Sequence, residues 1–579
     1  MTVKSPAPKT ELAKYVPLLL VLFALVLRLS GITWALPDKT RAYSYHPDES
    51  VVVGHSLDVN PFAGKVDPGF YNYGSLSLLL NGAVIHAGRA AGLIDFAAPD
   101  NRPGGLALPT ATELLTARLI TALLGAGTVG FLFGTGRLLY SRTAGIVAGL
   151  GYAVAPLAVQ HGHFATVDIP AVFFIAGSLY FAATALPVEN EKRNVNPPRA
   201  LLLCGLFAGL AASTKYNAGL VVLPGIVAWY LTVPRRPLPL LLLLGGTAFG
   251  FLLGCPGVLL NTPAFIGGLR YEAAHVAEGH GEVFVNTAPG FIYHIVSSLR
   301  WGLTLPLLVL CLWAVGVAVA RRRRGDALLA AFALPYYLLI GLASVKFARY
   351  VLPLLPVLFL LAGAAWDGWR KSNAERGYRL LAGFALVGAT GFSLALNGVM
   401  GRTDARDAAA AYIRALPNVR TVGFPAGPWF YSPTLHPYLT HPYPFVGQVV
   451  AAESEDLRLI PSVRFGADGQ PERTAQNMMV PVEWDAALLT APVVPDALAL
   501  SEAQYADSLR VGNKDAAAYL SAAETAYPVH KNFTNPVTLF GLPVVRIYTE
   551  PGDVWHGLPT QALPPDMLYT NPSVSVWSK

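Results

Sequence analysis

The chain has 579 residues, of which 53% are apolar and only 13% are Asp, Glu, Lys or Arg. Soluble domains carry roughly 25% charged residues, so this deficit, spread over apolar runs of about 20 residues, excludes an ordinary soluble protein and indicates a polytopic membrane protein. The net charge of +7 does not imply nucleic acid as a partner, because the basic residues cluster between apolar segments, where membrane proteins keep them.

Lys4, Lys9 and Lys14 precede an apolar run at 15–36 that is interrupted only by Arg28. No small-residue cleavage site follows it, so it reads as a retained span with the N-terminus in the cytoplasm. Beyond it lies Tyr43-Ser44-Tyr45-His46-Pro47-Asp48-Glu49-Ser50, with adjacent carboxylates in a chain where charge is scarce. Proline disfavours helical geometry at the residue before it, so Asp48 and Glu49 are expected on a turn or at a helix start. The segment 74–93, with His86 and Arg89, is expected to be an amphipathic helix on the outer membrane surface.

Ten further spans are expected, at 113–140, 143–160, 168–186, 200–214, 217–233, 238–254, 291–320, 327–343, 350–366 and 378–399. The alternate loops between them hold Arg137 and Arg142; Lys192, Arg193 and Arg199; Arg235 and Arg236; Arg321 to Arg324; and Arg370, Lys371 and Arg376. All are basic, as cytoplasmic loops are. The fold class is therefore a polytopic α-helical membrane domain of about eleven spans over 1–400. Its external loops lie at 37–111 and 256–293. After Gly401, Pro, Tyr and Asp become frequent, with an amphipathic helix expected at 404–416, a strand at 420–424, helices over 483–521 and a strand at 537–548. This is a soluble α/β domain at 401–579, placed outside by the odd number of spans. The three cysteines, Cys204, Cys255 and Cys311, lie in or beside apolar segments and imply no disulfide framework.

Cations that break the positive-inside pattern are informative, because charge inside or at the outer edge of a bilayer usually has a partner. These are Arg28, Arg118, Lys215, Arg270, Arg300, Lys346 and Arg349. Each one alone reads as snorkelling to headgroups; Lys215, Lys346 and Arg349 together read as a site. The partners are carboxylates (Asp48, Glu49 or Asp168) or a lipid-linked phosphate. Asp168 stands at the outer mouth of a span, where capping a helix N-terminus is its structural role. His46, His161, His163, His275 and His280 fall on the outer side. With the acids, and with Glu49, His46 and His163 as candidate ligands, they could hold a divalent metal, although no spacing matches a strong ligand motif.

His46-Pro47-Asp48-Glu49, the 71–80 surface helix and His163-Phe164-Ala165-Thr166-Val167-Asp168 together resemble the integral-membrane GT-C glycosyltransferases. Lys215-Tyr216-Asn217 and Arg349-Tyr350-Val351-Leu352-Pro353 add to this. Within that class the likeness is to the glycosyltransferase family 39-like group of protein O-mannosyltransferases and aminoarabinose transferases, over roughly residues 10–400. The resemblance implies a multi-pass protein of the cell (cytoplasmic or inner) membrane. It implies a polyprenyl-phosphate-linked sugar donor, a protein, lipid or glycan acceptor, and transfer on the outer face. Asp48 matches the acid that activates the acceptor and Asp168 the acid of the second external loop; a divalent metal is left open.

On that reading Asp48 is the base, and Glu49 or Asp168 holds the acceptor or a metal. Lys215, Lys346 and Arg349 bind the phosphate, with His46, Tyr216 and Tyr350 beside them. The 256–293 loop, with Tyr271, His275, Glu278 and His280, closes over the donor. A single displacement inverts the anomeric carbon. A transporter that uses the same charges as a polar path is the competing class, and a sensor acting through its external domain is a third.

Overall fold

The computed structural model describes residues 14–41, 43–94, 108–186, 196–232, 234–369, 375–417, 419, 421–425, 430–435, 462–464, 484–490, 494–545 and 563–579. The basic residues Lys192, Arg193, Arg370 and Lys371 lie outside them. Helix α1 (Val16–Leu29) is followed by α2 (Pro47–Leu57), α3 (Leu76–Ala90), α4 (Ala111–Leu139), α5 (Arg142–Val154), α6 (Pro156–His161), α7 (Asp168–Ala185) and α8 (Pro197–Thr214). Then come α9 (Val222–Leu231), α10 (Pro237–Gly254), the single turn α11 (Gly257–Leu260) and α12 (Thr262–Glu278). Helices Leu305–Arg321, Arg324–Gly341, Leu355–Trp369 and Glu375–Met400 complete this part.

Among the described residues, five helices are long and apolar enough to cross a membrane: Ala111–Leu139, Asp168–Ala185, Pro237–Gly254, Ala348–Asp367 and Arg379–Ala415. The architecture is polytopic and helical. Several expected spans are broken. The 143–160 segment splits at Pro156, and the 291–320 segment splits at Thr304, which has φ 74° and precedes a new helix with proline in its first turn. Similarly, the 256–293 segment is more than a loop, because it contains the 17-residue α12.

The break at Pro156 explains Arg28. Proline has no N–H to give the carbonyl four residues back, and unpaired carbonyls at membrane depth are costly. Arg28, fully buried, turns inward and donates to the carbonyls of Tyr152 (3.5 Å) and Ala153 (3.3 Å), while Ser393 donates to that of Val154 (2.9 Å). Snorkelling is thus not its role.

Helices α8 and α10 pack through small residues. A Cβ on Gly205 would stand 2.0 Å from the Leu243 carbonyl oxygen, and one on Gly209 2.1 Å from that of Thr247. Gly246 and Gly250 present the reciprocal face to Leu202 and Leu206. Small residues spaced by four let backbones approach where lipid offers no hydrophobic drive for helix association.

The C-terminal part holds a five-stranded mixed sheet of order β2-β1-β3-β7-β4: β1 (Thr421–Gly423), β2 (Ser462–Arg464), β3 (Ala497–Ser501), β4 (Val529–Phe533) and β7 (Val574–Ser578). Among the described strands only the β1–β3 pair is parallel. A separate hairpin joins β5 (Thr538–Leu539) to β6 (Leu542–Pro543). Two corrections follow. The 483–521 stretch is not all helical: β3 lies within it, every residue buried, because a central strand position outweighs the weak β propensity of alanine. Of the 537–548 stretch, 537–545 forms the hairpin rather than one strand, and 546–548 lie outside the described residues.

Charged contacts tie this part to the segment before α2. Arg41 pairs with Asp407 at 2.9 Å, Tyr45 donates to Asp407 at 2.5 Å, and Arg406 lies 3.6 Å from the centre of the Tyr45 ring.

Candidate active site

The acid pair opens α2, as Pro47 dictates. His46 is extended (φ −85°, ψ 119°) and its Nδ1 accepts from the Asp48 amide at 3.2 Å, capping the helix. Asp48 and Glu49 occupy the first turn, where the helix dipole favours acids. Successive helical residues point about 100° apart, so the two carboxylates part company.

Glu49 is fully buried and accepts four hydrogen bonds, from Arg118 Nε (2.8 Å) and Nη2 (2.7 Å), Ser44 Oγ (2.5 Å) and the Ala165 amide (2.7 Å). Burial alone would raise its pKa, but the bidentate Arg118 guanidinium holds it below the usual carboxylate range. Arg118 also donates to the carbonyls of Ile32 and Trp34. This pair pins α2, α4 and the 162–167 turn together, and it explains why Arg118 breaks the positive-inside pattern.

Asp48 faces the other way, into a cavity of about 400 Å³ counting its open mouth. Asp168, Lys215, Arg349, Tyr350, Glu272 and His275 also line it. Two carboxylate–cation pairs face each other there. Arg349 Nη2 is 3.5 Å from Asp48 Oδ2, and Lys215 Nζ donates to Asp168 Oδ1 at 2.7 Å. The ammonium of Lys215 lies 5.0 Å from the Tyr350 ring centre, a cation–π distance. Asp168 is not a cap: Val167 holds that position and the Asp168 carboxylate turns to Lys215 instead. The Glu272 carboxyl is raised by burial. Glu272 stands one turn before His275 on α12, so this helix contributes a wall.

Support for Arg349 comes from a part of the chain that carries no membrane signal. A turn of 3-10 helix at Pro565–Thr570 packs against the backbone that carries Arg349. Fully buried Asp566 accepts from the Ala348 amide (2.9 Å) and the Arg349 amide (2.8 Å), with Arg349 Nη1 3.9 Å away. Gln160 donates to the Met567 carbonyl (2.9 Å) and Arg406 to that of Tyr569 (2.8 Å).

The remaining sequence candidates divide. His46 is buried between Phe164 (ring centres 4.5 Å apart) and Tyr569 (5.0 Å), and burial lowers its pKa, so it is neutral. His161 Nε2 is 3.9 Å from Asp566. The Tyr216 hydroxyl is 2.8 and 2.9 Å from the carbonyls of Tyr71 and Tyr73 and positions that loop at the cavity edge. His280 packs on Phe347 (5.2 Å) and His275 (5.4 Å), behind the wall. Lys346 is not in the lining; it donates to Thr287 Oγ1 (2.8 Å) and the Ala288 carbonyl (3.0 Å).

The metal candidates do not converge. Glu49 is taken by Arg118, and His163 is held between the carbonyls of Val159 and Ser30. Among the described residues no three His, Cys, Asp or Glu side chains are grouped to hold a metal ion. Glu272 and Tyr73 line the cavity and Asp566 holds the backbone of Arg349; sequence reasoning missed all three. For Glu272, its i, i+3 spacing to His275 on an amphipathic segment was a usable signal.

Residues 107–258 match the family model described as dolichyl-phosphate-mannose-protein mannosyltransferase. The matched stretch contains Arg118, Asp168 and Lys215. No curated protein matches the sequence. Among solved structures, ArnT from Cupriavidus metallidurans bound to undecaprenyl phosphate is 19% identical, with 69% of this chain and 66% of that one covered, at a TM-score of 0.45. The oligosaccharyltransferase AglB from Archaeoglobus fulgidus, in complex with an inhibitory peptide and a dolichol-phosphate, is 14% identical, covering 71% and 59%, at 0.44. The S. cerevisiae O-mannosyltransferase complex Pmt1-Pmt2 bound to the sugar donor is 20% identical, covering 51% and 37%, at 0.30. This chain therefore spans 66% or less of the length of each of these. At these TM-scores the likenesses determine neither fold nor function.

Proposed function

We propose that the protein is a membrane glycosyltransferase that moves a sugar from a polyprenyl-phosphate donor to an acceptor hydroxyl on the outer face of the cell membrane. The observation that carries this reading is the pairing of Asp48 with Arg349 across an open cavity, 3.5 Å apart, while its neighbour Glu49 is sealed away. Displacing a phosphate from an anomeric carbon needs a base for the incoming hydroxyl and positive charge on the departing oxygen. Asp48 supplies the first. Arg349 and Lys215 supply the second, since arginine and lysine are the usual phosphate donors.

In this mechanism the donor phosphate enters between Lys215 and Arg349 and loosens their hold on Asp168 and Asp48. The acceptor hydroxyl gives its proton to Asp48 as its oxygen attacks the anomeric carbon from the face opposite the phosphate. The C–O bond to phosphate breaks with the electron pair leaving on phosphate, steadied by the two cations. One displacement inverts the configuration. Glu272 and His275, which line the same cavity, orient the acceptor.

The external domain and the cavity share one side of the membrane on this reading. A membrane-impermeant thiol label on intact cells should reach Glu524→Cys, an exposed position; labelling only after lysis would invert the topology and remove the proposed outer-face reaction. For the chemistry, purified protein should be loaded with radiolabelled polyprenyl-phosphate sugars and product configuration read by NMR. A retained anomeric configuration, or uptake of the lipid without transfer, would overturn the displacement mechanism.

A further inference from the structure

After β4 the C-terminal chain leaves its sheet and runs down the side of the helix Glu375–Met400. No charged residue stands between Lys531 and Arg546. The β5–β6 hairpin turns through Phe540 and Gly541, both left-handed (φ 52° and 81°), the two-residue geometry that suits strand twist. A bulky side chain at positive φ is uncommon. Phe540 nevertheless occupies the tip, 97% exposed, with Leu542 71% exposed beside it.

The depth of this tip can be read against the helix. Asn535 donates to the Val399 carbonyl (3.2 Å), and Arg402 donates to the Pro536 carbonyl (3.0 Å) and Thr538 Oγ1 (2.6 Å), so the polar end of the hairpin sits at the helix's 400 end. Leu539, by contrast, reaches Gly391, where an added Cβ would meet its Cδ2 at 3.1 Å. Eight residues separate Val399 from Gly391, about 12 Å of helical rise. On either side of Gly391 the helix exposes Phe384, Val387 and Leu394, apolar like Phe540 and Leu542.

We propose that this hairpin is a membrane anchor of the C-terminal domain, with Phe540 and Leu542 among the acyl chains of the outer leaflet. The inference rests on the helix Glu375–Met400 crossing the bilayer with its 400 end outward. Behind the tip the two arms pair with each other, as lipid favours: Thr538 pairs with Pro543, Leu539 pairs with Leu542, and the Val544 amide donates to the Val537 carbonyl. Arg402 and Asn535 stay at headgroup level. Exposed apolar tips of this kind mark membrane or protein contacts. The exposed apolar residues of the adjoining helix select lipid.

The test uses the full chain in vesicles of palmitoyl-oleoyl-phosphatidylcholine, with a nitroxide on Phe540→Cys and, with the phenylalanine kept, on Leu542→Cys. The native Cys204, Cys255 and Cys311 are buried. Accessibility to oxygen and to a water-soluble nickel chelate is compared with Val387→Cys as the lipid reference and Glu524→Cys as the water reference. Both hairpin labels should show an oxygen-to-nickel ratio several-fold above that of Glu524→Cys and close to that of Val387→Cys. A ratio like that of Glu524→Cys overturns the anchor. Low access to both reagents overturns it too, in favour of a second copy covering the tip. If Val387→Cys itself behaves as water-exposed, the spanning helix fails first and the anchor with it.

Discussion

Asp566 grips Arg349 by the backbone: its two carboxylate oxygens accept from the amides of Ala348 and Arg349, while the guanidinium stands 3.9 Å away, free to turn toward Asp48. The start of the 3-10 turn Ala348–Leu354 has no helical carbonyls behind it to take those two amides. A residue from the far end of the chain takes them. Asp566→Asn keeps one acceptor oxygen and sets an NH2 group against the other amide. An unsatisfied buried group costs about 1–3 kcal/mol, so donor-lipid affinity should fall roughly tenfold. Calorimetric titration with the polyprenyl phosphate measures this. Unchanged affinity would mean that Arg349 is positioned without Asp566.

The two acids of α2 should fail differently. Asp48→Asn cannot accept a proton, so transfer should drop by about 10²–10⁴-fold with the thermal midpoint preserved. Glu49→Gln leaves Arg118 as an unpaired buried charge and should cost about 3–5 kcal/mol of stability. Turnover and thermal unfolding of both variants decide between them. An active Asp48→Asn alongside a well-folded, inactive Glu49→Gln would move the base to Glu49.

Lys346 and Arg349 offer a second contrast. Arg349→Ala removes a cation from the cavity and should weaken donor binding by about ten- to a hundredfold. Lys346→Ala removes contacts to Thr287 and Ala288 outside the lining and should leave donor affinity within about threefold, since such contacts are worth only about 1 kcal/mol. Equal losses would bring Lys346 into the donor site.

A pH effect belongs to the C-terminal part. Glu502 is buried against Ser573, and burial raises its carboxyl to about 7. The folded state therefore holds a proton that the unfolded state, with an ordinary glutamate, releases near pH 4.5. Stability from this group is complete below that value, declines as pH rises toward 7, and is flat above it. The full difference is on the order of 3 kcal/mol. Thermal midpoints recorded from pH 4.5 to 8 should fall in wild type and much less in Glu502→Gln; parallel profiles would show that Glu502 ionises normally.

Much of the cavity was legible because charge is rare in an apolar chain. Lys215 and Arg349 broke the positive-inside pattern, and both line the cavity. Pro47 marked the helix start that carries Asp48. What was not legible depended on distant partners. Whether Asp48 or Glu49 faces the cavity is decided by Arg118, 69 residues away. Lys346 broke the same pattern and still lies elsewhere, since sidedness does not specify direction. Asp566 sits in a stretch that reads as part of a soluble domain, where an acid is unremarkable. Likewise β3 looked helical because its alanines report propensity and not position in a sheet.

The turn at Pro565–Thr570 also sets a timetable. The ribosome delivers α2, α7 and the Ala348–Leu354 turn long before it adds residue 566, so the inserted membrane helices must wait with the amides of Ala348 and Arg349 uncovered. A nascent chain stalled before 564 would have integrated its helices and still lack the support behind Arg349. The cavity walls can thus form before the contact that holds Arg349, and a copy cut short of residue 564 would carry the walls without the arginine held in place to use them.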